Sequence, residues 1–261
     1  MDLGLAGKAA LVTGGSLGIG RATAQELAAN GVSVAIVARD GNRLRQVAEE
    51  ISAASGIPAV AIVADMSKRE DIEAAVEQAT RVLGKIDILV NNAGASPAGR
   101  IDELTDDQWR ASFELKLMGY MRCARAVLPA MQSRCWGRII NVIGRGGDIP
   151  TPGYLLGGFN AAVTHFTRAL GLEAAPHQVL VNGVSPGAVS TARWHSIAAQ
   201  KAAATGRPVG DIVKEWTATV PLGRVAEPSD VADLIAFLCS TRARHIAGTV
   251  VNIDGGGAAG V

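Results

Sequence analysis

Between an apolar run, Ala9–Thr13, and a stretch of helical period at 19–30, the chain reads Thr13-Gly14-Gly15-Ser16-Leu17-Gly18-Ile19-Gly20. Glycines in such a turn accept backbone conformations closed to other residues, and they let N–H groups come close to a bound anion. The helix that follows offers its positive end at the same point. An apolar strand, a glycine turn and a helix form the first half of a βαβ unit. Such a unit needs a parallel neighbouring strand and a sheet covered by helices.

The rest of the chain has the same alternation. Short apolar runs, rich in β-branched residues, recur at Val32–Ala38, Ala59–Ala64, Ile86–Asn91, Arg138–Ile143, Val179–Val184 and Thr249–Ile253. Stretches of helical period lie between them at 40–55, 68–84, 106–134, 155–175 and 228–240. Continuous apolar strands such as VAIVA and DILVN suit burial on both faces, which predicts an α/β fold: a single-domain, Rossmann-type, doubly wound parallel sheet. No linker or repeat divides the chain, and 261 residues suffice for one large core without disulfides. The segment 192–219 is longer than an ordinary connection and is expected to be either a substrate lid or a surface helical excursion.

Composition narrows the partners. The 25 basic and 24 acidic residues nearly cancel, so nothing points to nucleic acid or to an acidic membrane surface. The three cysteines, Cys123, Cys135 and Cys239, are odd in number and widely spaced, as in a reduced compartment, and they suggest neither a disulfide frame nor a metal site. The opening MDLGLAG lacks a basic segment followed by a long apolar one, and no apolar run nears the ~18 residues that span a bilayer. A cytoplasmic protein acting on a small molecule is expected.

Gly14 to Gly18 also fits Gly-x-Ser-x-Gly, the elbow of serine hydrolases. No acid-then-histidine order follows in a convincing setting, and Ser16 has a simpler use as a donor to phosphate. Thr13 to Gly20 instead resembles the cofactor loop of the short-chain dehydrogenase/reductase family, and the resemblance covers almost the whole chain. It implies cofactor contacts from Gly14, Ser16, Gly18, Ile19 and Gly20. Asp65 and Met66, at the end of the third strand, resemble the family's adenine contacts. Asn91-Asn92-Ala93-Gly94 matches its fourth-strand motif, in which Asn91, Ala93 and Gly94 would line the adenosine ribose. Pro186, Gly187, Val189 and Thr191 resemble its nicotinamide-side loop, and Pro221-Leu222-Gly223-Arg224 with Asp254-Gly255-Gly256 match its C-terminal signatures.

The second strand ends Val37-Ala38-Arg39-Asp40. A carboxylate at the strand end would accept both ribose hydroxyls and repel a 2′-phosphate. Ala38 stands there, and the Arg39 guanidinium beside it can grip a phosphate in bidentate fashion, unless Arg39 is instead a solvated partner of Asp40. NADP is therefore the expected cofactor, ahead of NAD.

The family's catalytic set departs sharply. Gly144 stands at the usual Ser position, Leu156 at the usual Tyr, Asn160 at the usual Lys and Lys116 at the usual Asn. The last two are the family's own residue types exchanged. Lys116 belongs to an apolar stripe with Trp109, Phe113, Tyr120, Ala124 and Val127, so it is either a snorkelling side chain or a cation in the active-site cavity. If the latter, its amine is expected within hydrogen-bond reach of Asn160, directly or through one water. Tyr154 is the nearest phenol to the vacated position, either packing or replacing the lost proton donor. Arg145 and Asp148 sit in the loop at the carboxyl end of the fifth strand, where open α/β sheets bind ligands, unless they are exposed charges on a turn; His195, beside Trp194 in 192–219, is either a substrate contact or a solvated lid histidine. The reading is an NADP(H)-dependent oxidoreductase of an alcohol or carbonyl on a small apolar molecule, with Lys116, Tyr154 and Asn160 as its catalytic candidates. The rivals are a catalytically silent cofactor-binding protein and a lyase or hydrolase that reuses the fold. The resemblance also implies a homotetramer.

Overall fold

A computed structural model describes residues 2–94 and 97–257. Its strands are β1 (Ala9–Thr13), β2 (Ser33–Ala38), β3 (Ala59–Val63), β4 (Ile88–Asn91), β5 (Gly137–Val142), β6 (Val179–Pro186) and β7 (Val250–Ile253). All pair in parallel, in the order β3-β2-β1-β4-β5-β6-β7. The helices are α1 (Gly18–Ala29), α2 (Gly41–Ser55), α3 (Arg69–Leu83), α4 (Asp106–Ser112), α5 (Gly119–Ser133), α6 (Gly158–Ala174), α7 (Ala192–Thr205), α8 (Val209–Ala218) and α9 (Pro228–Cys239).

Successive strand residues point to opposite faces, and each face is apolar. Ala10, Val12, Val34, Ile36, Ile88, Val90, Ile140 and Val142 pack against α1, α2 and α9. Leu11, Ala35, Val37, Leu89 and Ile139 pack against α3, α5 and α6. Two-sided burial is why these strands read as unbroken apolar runs and not as alternating ones.

The chain direction across the sheet reverses between β1 and β4, so the loops at their carboxyl ends diverge and leave a crevice. Thr13 holds the crevice together: its hydroxyl accepts the N–H groups of Asn92 (2.9 Å) and Ala93 (3.1 Å). The Asn92 amide returns two bonds, to the Thr13 and Gly14 carbonyls.

One element differs from the sequence expectation. The helix expected over 106–134 is α4 and α5 joined by a π-helical segment, Phe113–Met118. The wider turn rotates the face presented before it, so Phe113 is 37% exposed while Lys116 and Tyr120 point inward. Trp109 and Phe113 meet Phe159 of α6 with ring centroids 5.8 and 5.9 Å apart. The segment 192–219 is a hairpin of α7 and α8 with a small core of its own, Ala198, Ala202 and Ile212.

Candidate active site

The glycine turn closes over itself. Gly14 has φ +66°, and a Cβ on Gly20 would strike the Gly14 carbonyl oxygen. No side chain caps the first turn of α1 and no acidic residue lies in it, so its N–H groups remain available to an anion. This cradle fits a dinucleotide pyrophosphate.

On one side of the turn lies a cavity of about 360 Å³ lined by Ser16, Ala38, Arg39, Arg43, Asp65 and Met66, among others. Asp40 does not pair with Arg39. It caps α2 by accepting the Arg43 N–H at 3.1 Å and pairs with the Arg43 guanidinium at 3.7 Å. Burial works to raise the Asp65 carboxyl, but Ser67 donates to it through N–H and hydroxyl, and with the Arg39 and Lys68 charges these hold it below its ordinary value. Two guanidinium groups therefore border the wall where a 2′-phosphate would lie. Arg43 was missed because its place, one turn into α2, shows its reach only when α2 is docked on the sheet.

Asn91 is fully buried and donates to Asn141 Oδ1 at 2.9 Å, while Asn92 lines the crevice in its place. Gly20 packs on the Gly14 carbonyl, and Pro186 ends β6. Gly187 is pressed on Asp254, so that a Cβ there would lie 2.7 Å from Asp254 Cβ, and Val189 bridges to Ala226. Ile19, Ala93, Gly94 and Thr191 do line the crevice.

A second cavity, of about 380 Å³, shares Gly14, Leu17, Ala93 and Gly94 with the first and includes Lys116, Ile143, Tyr154, Asn160 and Arg193 in its lining. Lys116 comes from the π-helical segment and is 8% exposed. Its amine donates to the Val142 carbonyl (2.7 Å), the Ile143 carbonyl (3.0 Å) and the Tyr120 hydroxyl (3.2 Å). All three ammonium hydrogens thus have acceptors. Burial, followed by the positive charge of Arg193, lowers this amine to about 7. Asn160, buried in the first turn of α6, lines the same cavity but makes no direct hydrogen bond to the amine. The carbonyls at the end of β5 take its place.

Gly144 has φ +123°, a conformation that other residues seldom adopt, and a Cβ there would lie 3.3 Å from Asn160 Nδ2. The Asn160 amide thus occupies the flank of a position that lacks both a hydroxyl and the backbone to carry one. Leu156 is 1% exposed, packed away from the cavity. The phenol lining the cavity is Tyr154, seated over Gly146. Asp148 accepts from the Ser185 hydroxyl at 3.5 Å. Arg145 lies against Gly257, and His195 faces Ser190 at 3.2 Å; neither lines this cavity. Arg193 was also missed: from sequence it was one more charge at the start of a helix.

A doubly wound parallel sheet with an uncapped glycine cradle at its first βα turn defines a dinucleotide-binding α/β protein. Residues 8–202 match the family model for short chain dehydrogenase, and the chain belongs to that family. It is 34% identical to the 3-oxoacyl-(acyl-carrier-protein) reductase FabG of Aquifex aeolicus, over 98% of this chain and 99% of that protein. It is 35% identical to the 2,3-dihydro-2,3-dihydroxybenzoate dehydrogenase of Bacillus subtilis, over 99% of this chain and 98% of that one. The crystal structure of L-sorbose reductase from Gluconobacter frateurii, complexed with NADPH and L-sorbose, superposes with a TM-score of 0.96 at 31% identity, covering all of both chains. No helix among the described residues is long and apolar enough to cross a membrane.

Proposed function

We propose that this protein is an NADP(H)-dependent oxidoreductase that interconverts an alcohol and a carbonyl on a small, largely apolar molecule through a non-standard catalytic set. The observation that carries this reading is the convergence of Lys116, Tyr154 and Asn160 on one cavity beside the glycine cradle. Arg39 and Arg43 border the expected 2′-phosphate wall with no carboxylate at the strand end, which favours NADP over NAD. Matched structures that contain NADPH support the same choice.

The nicotinamide, when bound, supplies or takes the hydride. Tyr154 gives or takes the proton of the substrate oxygen. Lys116, anchored on the Val142 and Ile143 carbonyls, sets a positive charge near the oxygen that becomes negative in the transition state. The Asn160 amide offers one donor and one acceptor for orienting that oxygen. The protein acts in the cytoplasm as a homotetramer, for which light scattering would give about four times the chain mass of 26.8 kDa; a monomer would contradict the assembly.

The test is NADPH fluorescence titration followed by a carbonyl panel. Binding with turnover on at least one carbonyl supports the oxidoreductase. A second reading, a silent cofactor-binding protein, draws on the burial of Leu156 at the family's proton-donor position. Tight NADPH binding with no oxidation across the panel would favour it.

A further inference from the structure

The Tyr154 ring, which lines the second cavity, lies in a slot that glycine leaves open. A Cβ on Gly146 would strike Tyr154 Cε1 and lie 2.6 Å from Cδ1. Gly146 does not have a positive φ, so the ring, and not the backbone conformation, is what excludes a side chain there. The slot is closed behind by main chain. A Cβ on Gly147 would lie 2.8 Å from the Ala161 nitrogen, so the turn Arg145–Gly147 is pressed flat on the start of α6. A Cβ on Gly157 would strike the Gly146 carbonyl oxygen and lie 3.2 Å from Tyr154 Cδ1. The Tyr154 backbone is fixed as well. Its N–H donates to the Thr151 carbonyl at 3.0 Å, and its carbonyl accepts the Gly157 N–H at 3.0 Å. A parallel bridge joins Tyr154 to Gly99, whose N–H donates to the Gly153 carbonyl at 2.7 Å. With the turn unable to retreat and the main chain of Tyr154 held, a methyl group at 146 has only the ring to displace.

We propose that Gly146 is a positioning residue for proton transfer by Tyr154: its missing side chain lets the ring lie against the turn and sets where the hydroxyl stands in the cavity. The proposal rests on the oxidoreductase reading above. A proton donor acts only within hydrogen-bond reach of the substrate oxygen, and a misplacement of about 1 Å costs on the order of a hundredfold in rate. Gly146 lines neither the cradle nor the wall beside Arg39, so cofactor binding does not depend on it.

The experiment is single-turnover oxidation of bound NADPH, with a carbonyl that the unmutated protein accepts, in Gly146→Ala, Tyr154→Phe and the double variant, together with fluorine NMR of the 3-fluorotyrosine-labelled proteins. The chain has two tyrosines, so Tyr154 gives one of two resonances, identified by its loss in Tyr154→Phe, and the other belongs to buried Tyr120. Gly146→Ala is expected to lower the rate about tenfold or more, to move the Tyr154 resonance and not that of Tyr120, and to keep NADPH affinity within about threefold. In the Tyr154→Phe background the same substitution should change the rate less than about twofold, a pattern that a merely structural role would not give. Gly158→Ala, whose Cβ meets nothing within 4 Å, should alter neither rate nor resonance. An unchanged rate or an unmoved Tyr154 resonance in Gly146→Ala overturns the proposal, as does an equal fall in rate with and without the hydroxyl. If Gly146→Ala does not fold, the Gly146→Ala/Tyr154→Ala protein, which lacks the ring, should; a double variant that also fails to fold overturns the slot. If the unmutated protein oxidises NADPH with no carbonyl, the oxidoreductase reading fails by itself, and an unmoved resonance then overturns the slot separately.

Discussion

Lys116 is held in a buried site by three oxygen acceptors. An unconstrained lysine amine keeps its proton to about 10.5, whereas this one is lowered to about 7 by burial and by Arg193. Between those values the unfolded chain binds a proton that the folded chain does not, so stability rises with pH across that window and is flat, in this respect, below it. Lys116→Met removes the linkage. Denaturant melts from pH 6 to 10 should show the unmutated protein gaining on the variant by up to a few kcal/mol above about pH 7, from ~1.4 kcal/mol per unit of pKa shift. A constant difference across that range would contradict the lowered amine. The same variant is expected to lose turnover while its NADP(H) affinity stays within about threefold, a difference under 1 kcal/mol. At the other end of the crevice, Arg39→Ala should weaken NADPH by about 1.5–3 kcal/mol through loss of a charge-assisted phosphate contact and leave NADH unchanged. Equal dissociation constants for the two cofactors in the unmutated protein would rule this role out. The cradle glycines and Arg39 stand directly after β1 and β2, where the sequence marks them, whereas the departures read at 116, 144, 156 and 160 rest on resemblance to the family's motifs. Arg43, Arg193 and the carbonyl partners of Lys116 could not be read there, since they depend on how helices dock on the sheet.

At the scale of elements, the π-helical turn and the α7–α8 hairpin decide what reaches the cavity. Regular helical spacing from 106 to 134 put Phe113 and Lys116 on one buried stripe. The inserted turn breaks that stripe, leaving Phe113 at the surface and sending the amine to the end of β5. A hydrophobic period reports which residues share a face only while the helix keeps 3.6 residues per turn, which is why this break was not legible. The hairpin had a legible length but not a legible shape. Its small Ala198, Ala202 and Ile212 core and the Trp194–Trp216 edge contact, with centroids 5.8 Å apart, make it a unit in itself. Its link to the cavity runs through Thr191, which caps α7 at the Trp194 N–H and lines the crevice. Hydrogen exchange should find the amides of 192–219 faster than those of β1, β4 and β5 without ligand, and slower once NADP(H) is added. Protection equal to that of the strands in the ligand-free protein would contradict a lid.

For the whole molecule, the order of strands places everything chemical at one end of the sheet. The glycine turn, the Asn92–Gly94 loop, the end of β5 and the loop after β6 all leave the sheet at its carboxyl edge, and the reversal beside β1 opens the crevice between them. This architecture was legible because strand–helix alternation with two-sided apolar strands admits few other folds. The proposed relocation of the chemistry has only absences as its mark in the sequence, no hydroxyl at 144 and no phenol at 156. Seeing that Tyr154 and Lys116 face one cavity required the folded chain. The central claim is that this displaced pair performs the reaction. Single-turnover oxidation of bound NADPH, measured with a carbonyl that the unmutated protein accepts, tests it most directly in Tyr154→Phe. The expected result is a fall of about 10²–10⁴ in the rate with NADPH affinity retained; an unchanged rate in the variant would contradict the account.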